Sequence, residues 1–167
     1  MQINVKLDHG LLPDKYGKFA PENNLLAGQP ITSFPIQIEN APRDTKAFAL
    51  VLIDNDSIPV CGFTWIHWIA TNIPADWQTI PENASIELKD RFIQGKNSNA
   101  SRFVNGKPQT GYTGPTPPDQ THDYELTVYA LDQILPLKNG YWLNEFFHAA
   151  KGHILDQQTL TLPSRAN

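Results

Sequence analysis

The sequence predicts a mainly β protein, an antiparallel two-sheet β-sandwich with a short helix near the carboxyl end, and three observations carry that expectation. Fourteen prolines and ten glycines are spread along all 167 residues and cut the chain into short segments. Apolar residues alternate with polar ones, or run unbroken, over stretches of strand length. Helical spacing occurs in one place. With 40% hydrophobic and 18% charged residues, the length suits one domain, 1–167, with its own core.

The elements follow in order. Ile3, Val5 and Leu7 alternate with Asn4 and Lys6, which predicts a half-buried strand. Phe34, Ile36 and Ile38 do the same around Pro35 and Gln37, and because Pro35 cannot donate to a ladder this strand is expected at an edge or a bulge, where a second copy could pair. Residues 48–53 are continuously apolar and stop at Asp54-Asn55-Asp56, the pattern of a central strand running into a polar loop. His67 to Ile73, closed by Pro74, and Tyr124 to Ala130 read as two more strands. Residues 93–121 are rich in Asn, Ser, Gly and Pro, and a loop of that length in a compact domain points to function. Leu143, Phe146, Phe147 and Ala150 sit at helical spacing, with Asn139 as the expected cap, Lys151 in the last turn and Gly152 as the stop.

Thirteen Lys and Arg stand against 17 Asp and Glu, with no basic cluster. This argues against a nucleic-acid partner, since affinity for phosphodiester chains rests on arrays of cations displacing counterions. No apolar run approaches the roughly 18 residues that span a bilayer, so no integral membrane association is expected. A single Cys61 forms no internal disulfide, and the opening MQINVKLDHGLL lacks a cationic segment followed by an apolar run, which together suggest a cytoplasmic protein.

Among five histidines, His67 and His122 begin strands beside unusual loops, and Asp54 ends one. In an antiparallel sheet a strand's end and its neighbour's start share an edge, so these three loops are expected to converge. His148 and His153 are five residues apart, wrong for two ligands on one helical face, and no Cys or His pair has zinc spacing. Asp54-Asn55-Asp56 resembles the start of a calcium loop, but Pro59 and Trp65 occupy the places of its glycine and last acid. No metal and no cofactor are therefore expected. The chain has neither a Gly-rich phosphate cradle nor a Gly-x-Ser-x-Gly elbow, and Cys61 has no cationic sequence neighbour to activate it.

Four stretches in fixed order carry a resemblance: Asp54 to Pro59, Trp65 to Pro74, Gly111 to Pro118, and His122 to Leu131. Together with the tail Lys151-Gly152-His153-Ile154-Leu155, the region from about 48 to 162 resembles the phosphatidylethanolamine-binding protein family in its bacterial, Raf-kinase-inhibitor-like branch. The resemblance implies a two-sheet sandwich with a shallow end pocket for phosphate, acetate or phosphorylated head groups. It implies Asp54 as the pocket acid, with Asp56 and Pro59 completing the motif, His67 and His122 as pocket histidines, Gly114, Pro117 and Pro118 as the loop wall, and Tyr124 as the pocket tyrosine. The chain departs from the pattern in three places. Asn55 replaces a proline and Ile58 is inserted, which leaves Asp54 and Asp56 both open as the pocket acid. Asp123 replaces an arginine. Residues 95–107 are longer than usual, and are expected at the pocket rim.

These residue types suit an anion. A carboxylate beside an imidazole favours its protonated form, which then donates a charge-assisted bond to a phosphate oxygen, while the Tyr124 hydroxyl and Gly114-loop N–H groups add neutral donors. Trp65, Trp68 and Tyr112 are candidates for apolar contact, Trp68 being the more suited to the core. The expected function is non-catalytic binding or regulation through a small anionic or phosphorylated ligand; the resemblance extends this to inhibition of a kinase or protease partner. The alternative is a phosphoester hydrolase with Asp54 and His67 as an acid–base pair, which lacks a positioned nucleophile.

Overall fold

A computed structural model describes residues 1–167. In chain order its regular elements are β1 (Gln2–Asn4), β2 (Leu25–Leu26), β3 (Gln29–Pro30), β4 (Ile36–Glu39), β5 (Ala47–Asp54), α1 (Ile58–Cys61), β6 (Trp65–Pro74), β7 (Thr79–Ile80), α2 (Ala84–Glu87), β8 (Ile93–Gln94), β9 (His122–Leu131), α3 (Leu143–Ala150) and β10 (Ile154–Ser164). Five strands form the main sheet in the order β10-β9-β5-β6-β8, three form a smaller sheet in the order β1-β4-β7, and β2 and β3 make a short hairpin. All pairings are antiparallel.

The unbroken apolar run of β5 follows from its position. Phe48, Leu50 and Leu52 face the smaller sheet and join Ile36, Ile38 and Ile80 in a core cluster of 22 buried residues. Ala49 and Val51 point the other way, into a second cluster of nine that includes Phe146 and Ala150 of α3. A strand covered on both faces needs no polar alternation. The chain is thus a sandwich whose main sheet is also roofed by a helix, and no helix is long and apolar enough to cross a membrane.

Several sequence expectations require correction. β1 ends at Asn4, opposite Gln37, and continuing that register would set Lys6 against Pro35, which has no N–H to give. The strand after Pro35 is not an edge: β4 lies between β1 and β7, so it offers no free ladder to a second copy. The cap of α3 is not Asn139. Glu145 reaches back to accept from the Trp142 N–H at 2.7 Å, while Asn139 Oδ1 accepts from the Gln94 N–H at 2.9 Å.

Candidate functional site

Strand register assembles the site. Asp54, the last residue of β5, stands opposite Trp65 on β6 and opposite Tyr124 on β9. His122 precedes Tyr124 by two residues and so points to the same face. His67 arrives by a different route. Leu52 pairs with Trp68 and Ile53 with Ile66, which leaves His67 as the extra residue of a bulge, a device that redirects a side chain out of the ladder's alternation.

The loop after β5 is tied down by Ser57, a residue the sequence reading passed over. Its N–H donates to Asp54 Oδ1 at 3.1 Å, its Oγ lies 2.7 Å from the Asp54 carbonyl and 2.8 Å from the Phe63 carbonyl, and Oγ accepts from the Trp65 N–H at 3.0 Å. An acid bonding the backbone N–H three residues on is a common local turn device, and Asp54-x-x-Ser57 carried that signal. Pro59 then sits in the first turn of α1, where a fixed φ is favourable, and Gly62 ends the helix at φ +93°, a left-handed conformation that costs glycine little.

His122 lies between two carboxylates. Its Nδ1 is 2.8 Å from Asp54 Oδ2 and its Nε2 is 2.9 Å from Asp119 Oδ1. Because ionised carboxylates only accept, a ring donating from both nitrogens is the imidazolium. Burial alone would lower the His122 pKa, but the hydrogen bonds and charges of Asp54 and Asp119 outweigh it and raise the value above the usual histidine range. The same bond holds the Asp119 carboxyl below its usual range.

His67 is the contrasting case. Its Nδ1 lies 2.8 Å from the Thr113 carbonyl, which can only accept, while its own carbonyl accepts from the Thr113 N–H at 3.0 Å. Burial pulls its pKa down to about 4, more than the Thr113 bond and the Asp54 charge restore. His67 is therefore neutral near pH 7, protonated on Nδ1, and its Nε2 is a lone-pair acceptor. The Tyr124 ring centroid lies 5.0 Å from that of His67 and 6.3 Å from that of His122. Burial and the Asp54 charge hold its phenol far above the usual tyrosine range, so it remains an O–H donor.

These groups line a pocket of about 180 Å³. Of the residues singled out in the sequence, Asp54, His67, Pro117, Pro118, His122 and Tyr124 line it, together with Trp65; Ser57, Val60, Cys61 and Thr116 were not foreseen as lining. Asp56, Pro59 and Gly114 do not. Asp56 turns outward to accept from the Asp123 N–H at 2.8 Å, and Pro59 serves the α1 turn. Gly114 serves packing: an added Cβ would sit 2.2 Å from the Tyr16 carbonyl oxygen, and its N–H already donates to the Pro30 carbonyl at 2.8 Å, so it is no donor to a ligand. Tyr112 is likewise a core residue, its hydroxyl donating to the Tyr16 carbonyl at 2.6 Å.

Residues 95–107 do not form the rim. Ser98 Oγ accepts from the Ile66 N–H at 2.7 Å and Lys107 donates to the Ala27 carbonyl at 2.8 Å, which fastens this loop beyond β6. Instead the wall is braced by the amino-terminal segment, where Lys18 Nζ donates to the Pro117 carbonyl at 2.9 Å and the Ala166 carbonyl at 2.7 Å. The acid–base pair of the hydrolase alternative, Asp54 with His67, is not hydrogen-bonded; Asp54 bonds His122. No set of three or more His, Cys, Asp and Glu is arranged to hold a metal ion. A larger open groove of about 630 Å³ beside β4 and β7 has Glu39 as its single ionisable lining residue, so converging polar groups favour the smaller pocket.

A family model described as phosphatidylethanolamine-binding protein matches residues 2–165. The chain belongs to this family. The uncharacterized protein YxkA of Bacillus subtilis strain 168 is similar to it at 49% identity over 157 residues, 92% of this chain and 94% of YxkA. Among solved structures, the phosphatidylethanolamine-binding protein homologue CT736 of Chlamydia trachomatis superposes with a TM-score of 0.75 at 28% identity, covering 94% of this chain and 90% of that one. Escherichia coli YbcL, described as a member of the mammalian family, has the same TM-score of 0.75 over 99% and 98% of the two chains; at 21% identity this is a likeness of fold. The family match therefore extends beyond the region 48–162 in which the sequence resemblance was drawn, and takes in the amino-terminal segment that braces the pocket wall.

Proposed function

We propose that this phosphatidylethanolamine-binding protein family member is a non-catalytic binding or regulatory protein whose end pocket takes a phosphate, a carboxylate or a phosphorylated head group. The observation that supports this most is the buried Asp54–His122 pair, which keeps a cationic imidazole at the floor of a small pocket. In the binding step His122 donates to an anionic oxygen, Tyr124 adds a neutral O–H, and Pro117, Pro118 and Trp65 exclude water around them. His67 adds selectivity, because its free Nε2 accepts: it favours a ligand that also presents a donor, such as the P–OH of a singly protonated phosphate.

A few such bonds, each worth ~1 to 3 kcal/mol net, correspond to millimolar to micromolar affinity. The test is calorimetry with inorganic phosphate from pH 5.5 to 8.5 on the wild type and His122→Gln. The wild type should bind best at the acid end and weaken as pH rises through the His122 pKa, and the variant should lose at least tenfold. Affinity that is flat with pH and equal in both proteins would overturn the assignment.

A further inference from the structure

A ligand anion needs a ring N–H from His122, yet neither is free. Asp54 occupies Nδ1 and Asp119 occupies Nε2, while the His122 side chain itself is 1% exposed. The two carboxylates differ in how firmly they are held. Asp54 is buried and fixed by bonds from both Ser57 and His122. The Asp119 side chain is 56% exposed, lies on the loop just past Pro117-Pro118, and is joined to another side chain only at His122. Asp119 is therefore the carboxylate that can itself move into solvent at the smaller cost.

We propose that Asp119 is a displaceable internal counter-ion: its carboxylate, which does not itself line the pocket, sits on His122 Nε2 in the place that an incoming phosphate or carboxylate oxygen must take, and binding proceeds by exchange of one for the other. This rests on the reading of the pocket as an anion site and adds its regulation. A carboxylate tethered three residues from the ring competes at a high effective concentration, so the free ligand must outbid it by concentration or by additional bonds. Asp119 thereby sets an affinity threshold. A free carboxylate that merely repeats the Asp119 contact gains little, whereas a phosphate that also reaches Tyr124 and His67 gains more. Aspartates 54, 56 and 123 surround the exchange and Lys18 holds the adjacent wall, so the exchange must be separated from a general change of charge.

The experiment is calorimetric titration with inorganic phosphate and with acetate at one pH and ionic strength, on the full chain and on Asp119→Ala, Asp119→Asn and Asp123→Asn. Asp123→Asn removes the same charge one residue from His122 without freeing Nε2. We expect Asp119→Ala to bind phosphate roughly tenfold more tightly than wild type, Asp119→Asn to fall between them because its amide oxygen still accepts, and Asp123→Asn to change affinity less than about threefold. Because Asp119 competes alike with any anion on Nε2, acetate should gain by the same factor as phosphate. Equal, measurable phosphate affinity in wild type and Asp119→Ala overturns the exchange and leaves the pocket reading intact. Equal gains from Asp119→Ala and Asp123→Asn also overturn it, in favour of general charge. No phosphate binding by any of the four proteins at tens of millimolar overturns the pocket reading itself.

Discussion

His67 and His122 both lie near the Tyr124 ring in one small pocket, yet their surroundings differ in kind. On the β6 side His67 is buried, and its one partnered nitrogen meets the neutral Thr113 carbonyl. The β9 side is a mouth of carboxylates, where His122 has an acid on each nitrogen. The same imidazole is thus held neutral in one wall, where burial dominates, and cationic in the other, where two carboxylates outweigh it. Two titrating groups pushed in opposite directions leave one ring with an accepting nitrogen and the other donating from both.

The largest effect expected from breaking this contrast is at the cationic wall. His122→Ala leaves Asp54 buried without its counter-charge, which should cost ~3 to 5 kcal/mol in urea unfolding, and Asp54→Asn in the same chain should recover part of the loss. A single variant within 1 kcal/mol of wild type, a bound set by what exposed pairs are worth, would mean the pair is not buried as described.

At the neutral wall the signs reverse. The His67 pKa is about 4 in the folded chain, below the unfolded value of ~6.5, so the unfolded chain binds more protons between these values. Stability from a neutral His67 is complete above pH 6.5 and is lost as pH falls toward 4, at up to ~1.4 kcal/mol per pH unit and on the order of 3 kcal/mol in all. The raised pKa of His122 acts in the other window: its contribution is complete below pH ~6.5 and declines as pH rises through the folded value. His67→Phe should therefore flatten the acid limb of the stability profile relative to wild type while leaving the alkaline limb in place. Parallel profiles for the two proteins would contradict the neutral assignment.

A smaller effect tests the wall that carries Thr113 and Pro117. Gly114→Ala must move Tyr16 or Pro30, the added Cβ lying 2.7 Å from Pro30 Cβ as well as close to the Tyr16 oxygen, so ~1 to 3 kcal/mol of destabilisation is expected by thermal or urea unfolding. The smallest is outside the pocket. Asp56→Ala removes an exposed acceptor from the Asp123 N–H, with an expected cost of ~0.5 to 1 kcal/mol and phosphate affinity within about threefold of wild type by calorimetry.

How much of this was legible in the sequence varies with what fixes each element. The α3 helix is legible from the spacing of Leu143, Phe146 and Ala150, which pack into the second core cluster, but its bounds are not: Asn139 does not cap it, and Phe147, expected on the same stripe, is 46% exposed. β5 was plain from its unbroken apolar run. β10 was not: it is an eleven-residue edge strand with Gln157, Gln158, Thr159 and Thr161, whose weak alternation reflects the absence of any fully buried residue before Leu162 on either face, and only the resemblance of residues 151–155 to a helix-to-strand tail pointed to it. In the site, strand ends and the family motif identified Asp54, His67, His122 and Tyr124. Which histidine the acid would serve depended on the β6 bulge and on Thr113, neither of which has a sequence mark. Asp119 was missed for a similar reason, since nothing in Pro118-Asp119-Gln120 shows that the loop folds the acid back onto a ring three residues on.

The most direct measurement is the protonation of the two rings by long-range proton–nitrogen NMR across pH 5 to 8.5. At pH 7 the nitrogen shifts of His122 should be those of a ring protonated at both positions, and those of His67 those of a neutral ring with its proton on Nδ1. A neutral His122 at pH 7, or both histidines titrating together near the free value of ~6.5, would contradict the account.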